Sequence, residues 1–183
     1  WPRPFGENAC LKETADFIGV SYCGMQRVRF RPGRGGISVR VTGVGRPAGP
    51  HILEEYPEGM VEVLKEVSAF GKPIMVLENG IATEDDTERC HYLLDHVTAL
   101  RHAIESGLDV RGYMHRSLLD GFEWDMAYRA RYGLIHVGRE TLARTPNTSA
   151  YLYKDIATSG AIRKGALARY SPDWQPPEGL ERS

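Results

Sequence analysis

The chain has 183 residues, of which 42% are hydrophobic; the length suits a single domain of roughly 100–200 residues, with enough apolar side chain to bury a core. Its 23 Lys and Arg against 24 Asp and Glu leave a formal charge of −1, which excludes a global field for nucleic acid or an anionic membrane surface. The three cysteines, Cys10, Cys23 and Cys90, are odd in number and lack metal-ligand spacing, so a disulfide scaffold and a zinc knuckle are not expected and a reducing, cytoplasmic setting is.

The chain opens on Trp1 rather than a methionine, and the expectation is a piece cut from something longer. It carries no signal segment and no run near the ~18 uncharged apolar residues of a membrane span. Residues 15–22 form a short apolar run that breaks into glycine-rich sequence, as a buried parallel strand would. Between residues 24 and 50 lie Arg27, Arg29, Arg31, Arg34, Arg40 and Arg46 with no acidic residue. With little aromatic interleaving, this stretch reads as an arginine-decorated β-hairpin or long loop rather than a nucleic-acid contact. Pro57 opens a helix with Met60, Val61, Leu64 and Val67 at three-to-four spacing, and Gly71 closes it. Residues 72–77 supply a second buried strand, ending in the turn chemistry of Glu78-Asn79-Gly80. A long helix follows over 85–106, its core stripe Leu93, Val97, Leu100 and Ile104. A third strand covers 110–114, then comes a polar-aromatic segment over 117–128 and a short apolar piece at 133–137. The last helix spans 148–158, capped by Asn147 or Thr148; beyond Gly160 the proline- and charge-rich residues 161–183 are expected to fray.

Strand, helix, strand, helix, strand, helix is an α/β order with right-handed crossovers. A closed eight-unit barrel would leave about 23 of the 183 residues per unit, against roughly 30 for a βαβ element. A full barrel therefore does not fit. Barrel enzymes keep acidic side chains at the C-terminal ends of parallel strands, where the loops build an active-site mouth. Glu78 holds such a place, and Asp120, Glu123 and Trp124 follow the next strand. Carboxylates that accept hydrogen bonds from hydroxyls, beside an aromatic face, suit a sugar.

The segment Pro73-Ile-Met-Val-Leu-Glu78-Asn79-Gly80 resembles the nucleophile segment of family 1 glycoside hydrolases, the retaining β-glucosidases and their relatives. Gly112-Tyr113-Met-His-Arg-Ser117-Leu118-Leu119-Asp120-Gly-Phe122-Glu123-Trp124 is similar to that family's last-strand signature. Four further matches, at Asp16-Phe-Ile-Gly-Val, Tyr56-Pro-Glu-Gly59, Tyr128-Arg-Ala-Arg-Tyr-Gly-Leu134 and Arg144-Thr-Pro-Asn-Thr-Ser-Ala150, fall in the family's order. The resemblance implies a (β/α)8 TIM-type barrel of which about the last three βα units are present, with residues 1–160 as the C-terminal part of a β-glycosidase. Glu78 matches the nucleophile that forms a glycosyl-enzyme intermediate, Glu123 the carboxylate that holds glycone hydroxyls, and Trp124 the indole beside it. No metal or organic cofactor is implied.

A retaining mechanism needs a second carboxylic acid about 5 Å from the nucleophile to protonate the leaving group. The family takes it from an Asn-Glu-Pro motif, which this sequence lacks, so a complete site is not expected from this chain alone. Cys23 stands where the family has a tyrosine that bonds the nucleophile, and a thiol is a weak substitute. Arg116 replaces a tryptophan of the sugar floor; its guanidinium can pair with Glu78 or Glu123. Gly121, Ala127 and Gly138 depart from an Asn, a Gly and an Asp.

Asp120 is expected to brace its loop and Tyr22 to pack. Cys23 reads as an inert buried thiol, since nothing near it in sequence predicts a lowered pKa. His91, His96 and His102 share a helix at spacings of 5 and 6, lack chelate geometry and are expected in solvent. His115 is expected as a hydrogen-bonded core histidine. The partners implied are a β-linked glycoside or oligosaccharide and either the missing N-terminal half of the barrel or a second copy, with neither nucleic acid nor membrane. The alternative is a degenerate, non-catalytic carbohydrate-binding or self-associating remnant.

Overall fold

A computed structural model describes residues 14–33, 36–41, 53–124 and 126–180. Cys10, Arg34, Arg46 and residues 181–183 lie outside them. Three parallel strands, β1 (Ile18–Ser21), β4 (Ile74–Asn79) and β5 (Val110–His115), form one sheet in the order β1-β4-β5. The arginine-rich stretch is the expected hairpin, with β2 (Val28–Gly33) antiparallel to β3 (Gly36–Val41). Helices α1 (Pro57–Ser68) and α2 (Asp86–Glu105) follow β3 and β4, a second small hairpin pairs β6 (Ile135–Val137) with β7 (Arg144–Pro146), and α3 (Thr148–Ser159) and α4 (Lys164–Tyr170) close the chain.

Each helix starts and stops for a local reason. Pro57 supplies the preset φ of the first turn of α1, where a missing N–H costs nothing. Asp85 caps α2 by accepting from the Thr87 amide at 2.9 Å. Gly160 ends α3 in the left-handed region at φ 65°, which glycine enters without penalty. Asn147 does take the cap position of α3, but its side chain donates to the Gly133 carbonyl at 3.1 Å. Asp86 of α2 caps α3 in its place, accepting from the Ser149 amide at 2.9 Å.

Among the described residues, helices cover one face of the sheet. Val20, Ile74 and Val76 meet Met60, Leu64, Leu100 and Ala103 of α1 and α2 in the main core. On the opposite face the Leu77 side chain lies over Gly19 and that of Met75 over Gly112, so close that a Cβ at either glycine would collide with it. Leu77 and Met114 of that face are exposed. The strands expected to be buried are thus half-buried, because parallel strands are covered on both faces only where elements pack on both. In the helical stripe, Leu93 and Leu100 are buried while Ile104, in the last turn of α2, is exposed.

Residues 161–180 correct the expectation of a frayed tail. Ala166 is buried in a second core with Cys90, Leu93, Leu94, Leu152 and Ile156, and Leu167, Tyr170 and Trp174 pack on it. The Trp174 indole donates to Asp95 at 2.7 Å. Apolar residues spaced three to four apart were enough to dock a short helix despite the surrounding prolines.

Candidate active site

The site is built at the C-terminal ends of β4 and β5. Along β4 the register slips between Val76 and Asn79 against β5, and Ser21 of β1 pairs with Glu78 one position late. This irregularity breaks the period-two alternation, leaving Leu77 and Glu78 both exposed and Asn79 fully buried. A bulge re-aims a side chain in this way, and here it turns the Glu78 carboxylate, 50% exposed, away from the helices.

Asn79 anchors the strand end from beneath. Its amide donates to the Tyr22 carbonyl at 2.6 Å and to the Tyr92 hydroxyl at 3.0 Å, and its oxygen accepts from the Tyr113 hydroxyl at 2.7 Å. Tyr92 in turn donates to the Cys23 carbonyl at 3.0 Å. The three connected strands are thereby tied together at the level of Glu78 by one buried polar network.

Arg116 directly follows β5, and the peptide bond from Arg116 to Ser117 is cis. Its amide donates to the Asn79 carbonyl at 2.9 Å, and its own carbonyl leaves no room on Gly80, where a Cβ would sit 1.8 Å away. The guanidinium lies 4.5 Å over the Tyr132 ring. One nitrogen contacts Glu123 Oε2 and the other stands 3.9 Å from Glu78 Oε2. The pairing expected of Arg116 is present, with Glu123 as the nearer partner.

Glu123 is held by its backbone, which exchanges two hydrogen bonds with Ala127 at 2.7 and 2.6 Å. Ala127 closes that turn at φ 54°, a left-handed conformation that glycine takes more readily. Trp124 stands 94% exposed, its ring edge-on to Phe122 at 5.8 Å, so it forms no wall of an enclosed pocket. Asp120 braces the loop: it accepts from the Gly133 amide at 3.0 Å, the Val137 amide at 3.3 Å and His136 Nδ1 at 2.8 Å.

Cys23 is partly buried. Burial is the largest influence on its thiol and raises its pKa, a hydrogen bond from the Gly80 backbone and the nearby Arg116 charge pull it down, and Glu78 and Glu123 push it up. The thiol therefore faces the same cluster of charges and is protonated at neutral pH. Tyr22 packs in the core as expected and donates to the Tyr56 carbonyl at 2.5 Å.

Two histidines depart from expectation. His96 is wholly buried rather than in solvent, stacked on Tyr92 at 3.9 Å, with Nδ1 on the Tyr92 carbonyl at 2.9 Å and Nε2 without a partner. Tyr92 lies one turn before it on α2, but Tyr22 comes from the segment after β1, a contact that helix spacing cannot reveal. His115 is buried as expected, yet neither ring nitrogen has a hydrogen-bond partner. Sequence reasoning also missed Arg89, buried in α2, which donates to the Thr83 and Arg131 carbonyls and to Asp86; its place on the inward face of α2 was the available signal. Among the described residues no group of His, Cys, Asp or Glu could hold a metal ion, and no helix is long and apolar enough to cross a membrane.

The model of glycosyl hydrolase family 1 matches residues 5–161. The chain belongs to glycosyl hydrolase family 1. It is 38% identical to a β-galactosidase of Saccharolobus solfataricus over 83% of this chain and 33% of that protein. It is 39% identical to β-glucosidase A of Acetivibrio thermocellus over 55% of this chain and 25% of that protein. Among solved structures, a β-glycosidase from Pyrococcus horikoshii superposes with a TM-score of 0.78 at 37% identity, covering 90% of this chain and 38% of that one. A β-glucosidase from Thermotoga maritima in complex with glucoimidazole superposes at 0.76 with 30% identity, covering 83% of this chain and 36% of that one. The chain thus spans about a third of the length of the family 1 proteins it matches, and its βα units are part of a (β/α)8 barrel.

Proposed function

We propose that this family 1 chain supplies the nucleophile-bearing part of a retaining β-glycosidase site, with Glu78 as nucleophile and Glu123, Trp124, Arg116 and Cys23 lining the glycone side. The observation that carries the reading is the slip in β4, which frees Glu78 from the core at a strand end across Arg116 from Glu123. In the first displacement a Glu78 oxygen bonds the anomeric carbon as the C1–O bond breaks, and the leaving oxygen takes the electron pair. An acid that lies outside this chain protonates that oxygen. Water then cleaves the glycosyl ester, releasing the sugar and restoring the carboxylate.

A leaving group that needs no proton isolates the nucleophile from the acid. A dinitrophenyl 2-deoxy-2-fluoro-β-glucoside is expected to leave a fluoroglycosyl ester on Glu78, seen by peptide mass spectrometry and absent in Glu78→Gln. No adduct, or one unchanged in the variant, rejects the reading. The second reading, a non-catalytic sugar-binding remnant, is favoured by the guanidinium on Glu123. Under that reading calorimetry with β-glucosides shows binding while no ester forms.

A further inference from the structure

We infer that Arg116 is a built-in occupant of the sugar site, a guanidinium that takes the acceptor oxygen of Glu123 and must move off before a neutral glycoside can use it. The inference rests on the glycosidase reading above and names what regulates access to that site. Three fixed points hold Arg116 in place: the Asn79 carbonyl on its amide, Gly80 against its carbonyl, and the Tyr132 ring, itself 4% exposed, beneath its guanidinium. The group is only 29% exposed, and Glu123 18%, so the contact is sheltered from water on most sides.

The competition is unequal. A sugar hydroxyl is a neutral donor, whereas the guanidinium makes a charge-assisted bond roughly twice as strong. Exchanging one for the other should weaken a neutral glycoside about tenfold relative to a site without the arginine. Glu78, more exposed and 3.9 Å from the other nitrogen, is only loosely held, so the occupant blocks recognition at Glu123 more than attack by Glu78. Salt weakens the same contact in part, less than it would an exposed pair, as the Debye length shrinks from about 10 Å at 0.1 M to about 3 Å at 1 M.

Carbodiimide coupling of the two carboxylates to glycinamide, followed by peptide mass spectrometry, tests this on the chain as it stands. Glu123 is expected to label about fivefold or more faster in Arg116→Gln than in the wild type at low salt, with Glu78 nearly unchanged and Arg116→Lys intermediate. Wild-type Glu123 labelling should also rise with salt, a measurement that needs no variant to fold. Methyl β-glucoside should protect Glu123 in Arg116→Gln at about tenfold lower concentration than in the wild type. Equal Glu123 labelling in the two proteins with no salt response, or equal protection by sugar, overturns the occupant role and leaves the glycosidase reading standing. A labelling contrast with no sugar protection in either protein overturns the sugar-site reading and the competition that rests on it.

Discussion

Asp86, in the first turn of α2, accepts from both the amide and the hydroxyl of Ser149, in the first turn of α3, at 2.9 and 2.6 Å. One carboxylate thus stands at the N-termini of two helices, where their dipoles favour negative charge. It also holds Arg89 at 2.6 Å, and Arg89 carries the link to the Thr83 and Arg131 carbonyls that flank the site. The contact couples a sequence-distant helix to the loop after Glu78. Asp86→Ala is expected to destabilise the chain by about 3 kcal/mol, the loss of a cap plus a buried arginine left without its counter-charge. Urea unfolding of the two proteins measures it, and a change below about 1 kcal/mol would show the link to be ornamental.

The Asn79 network predicts a larger effect at the strand end. Asn79→Leu removes a donor pair and an acceptor together, leaving the Tyr22 carbonyl and the Tyr113 hydroxyl buried without partners. At about 1–3 kcal/mol for each stranded group, a loss of about 3–5 kcal/mol is expected in chemical denaturation. Asn79→Asp keeps the shape but replaces a donor with a buried acceptor facing the Tyr22 carbonyl, so it should not rescue stability.

How much of this was legible in the sequence varied with the range of the interaction. Helices α1 and α2 were readable because Pro57, Gly71 and Gly107 punctuate apolar stripes, all of it local. Glu78 was readable as a strand-end carboxylate, and Arg116 as a partner for Glu78 or Glu123, from the family motifs the sequence resembles; which of the two carboxylates lies nearer was not. Nor was the slip at Leu77–Glu78, since a bulge depends on how β1 and β5 pair on either side. His96 was misjudged for a related reason: it is buried by Tyr22 and Tyr92, and only folding brings Tyr22 to that helix. Helix α4 was missed because Ala166, Leu167 and Tyr170 gain a partner only when Cys90 and Ile156 present a groove.

Ala127 carries a prediction of opposite sign. At φ 54° it holds the turn that pairs with Glu123, and an L-residue there costs about 1–2 kcal/mol relative to its ordinary backbone. Glycine removes that cost but gains about 0.4–1 kcal/mol of unfolded-state entropy. Ala127→Gly should therefore stabilise the chain by about 0.5–1 kcal/mol, read as a raised denaturation midpoint at unchanged slope. A lower midpoint would mean that the turn is not the one described.

Acid sensitivity follows from the two buried histidines. Burial lowers His96 from 6.5 to about 4 against the opposing pull of the Tyr92 carbonyl, and lowers His115 to about 3, helped by Arg89 and His96 and opposed by Asp86. Both rings are neutral in the fold, while an unfolded chain protonates them near pH 6.5. Below that pH the unfolded state binds more protons, so stability falls as pH falls, by up to about 1.4 kcal/mol per pH unit for each histidine and about 2.7 together. The loss from His96 levels off near pH 4 and that from His115 near pH 3, where the folded rings also take protons. Denaturation midpoints between pH 7 and pH 4.5 should show this slope at its steepest below 6. In His115→Gln, which cannot take up a proton, the slope should be about half that of the parent. An unchanged slope would remove His115 from the acid response.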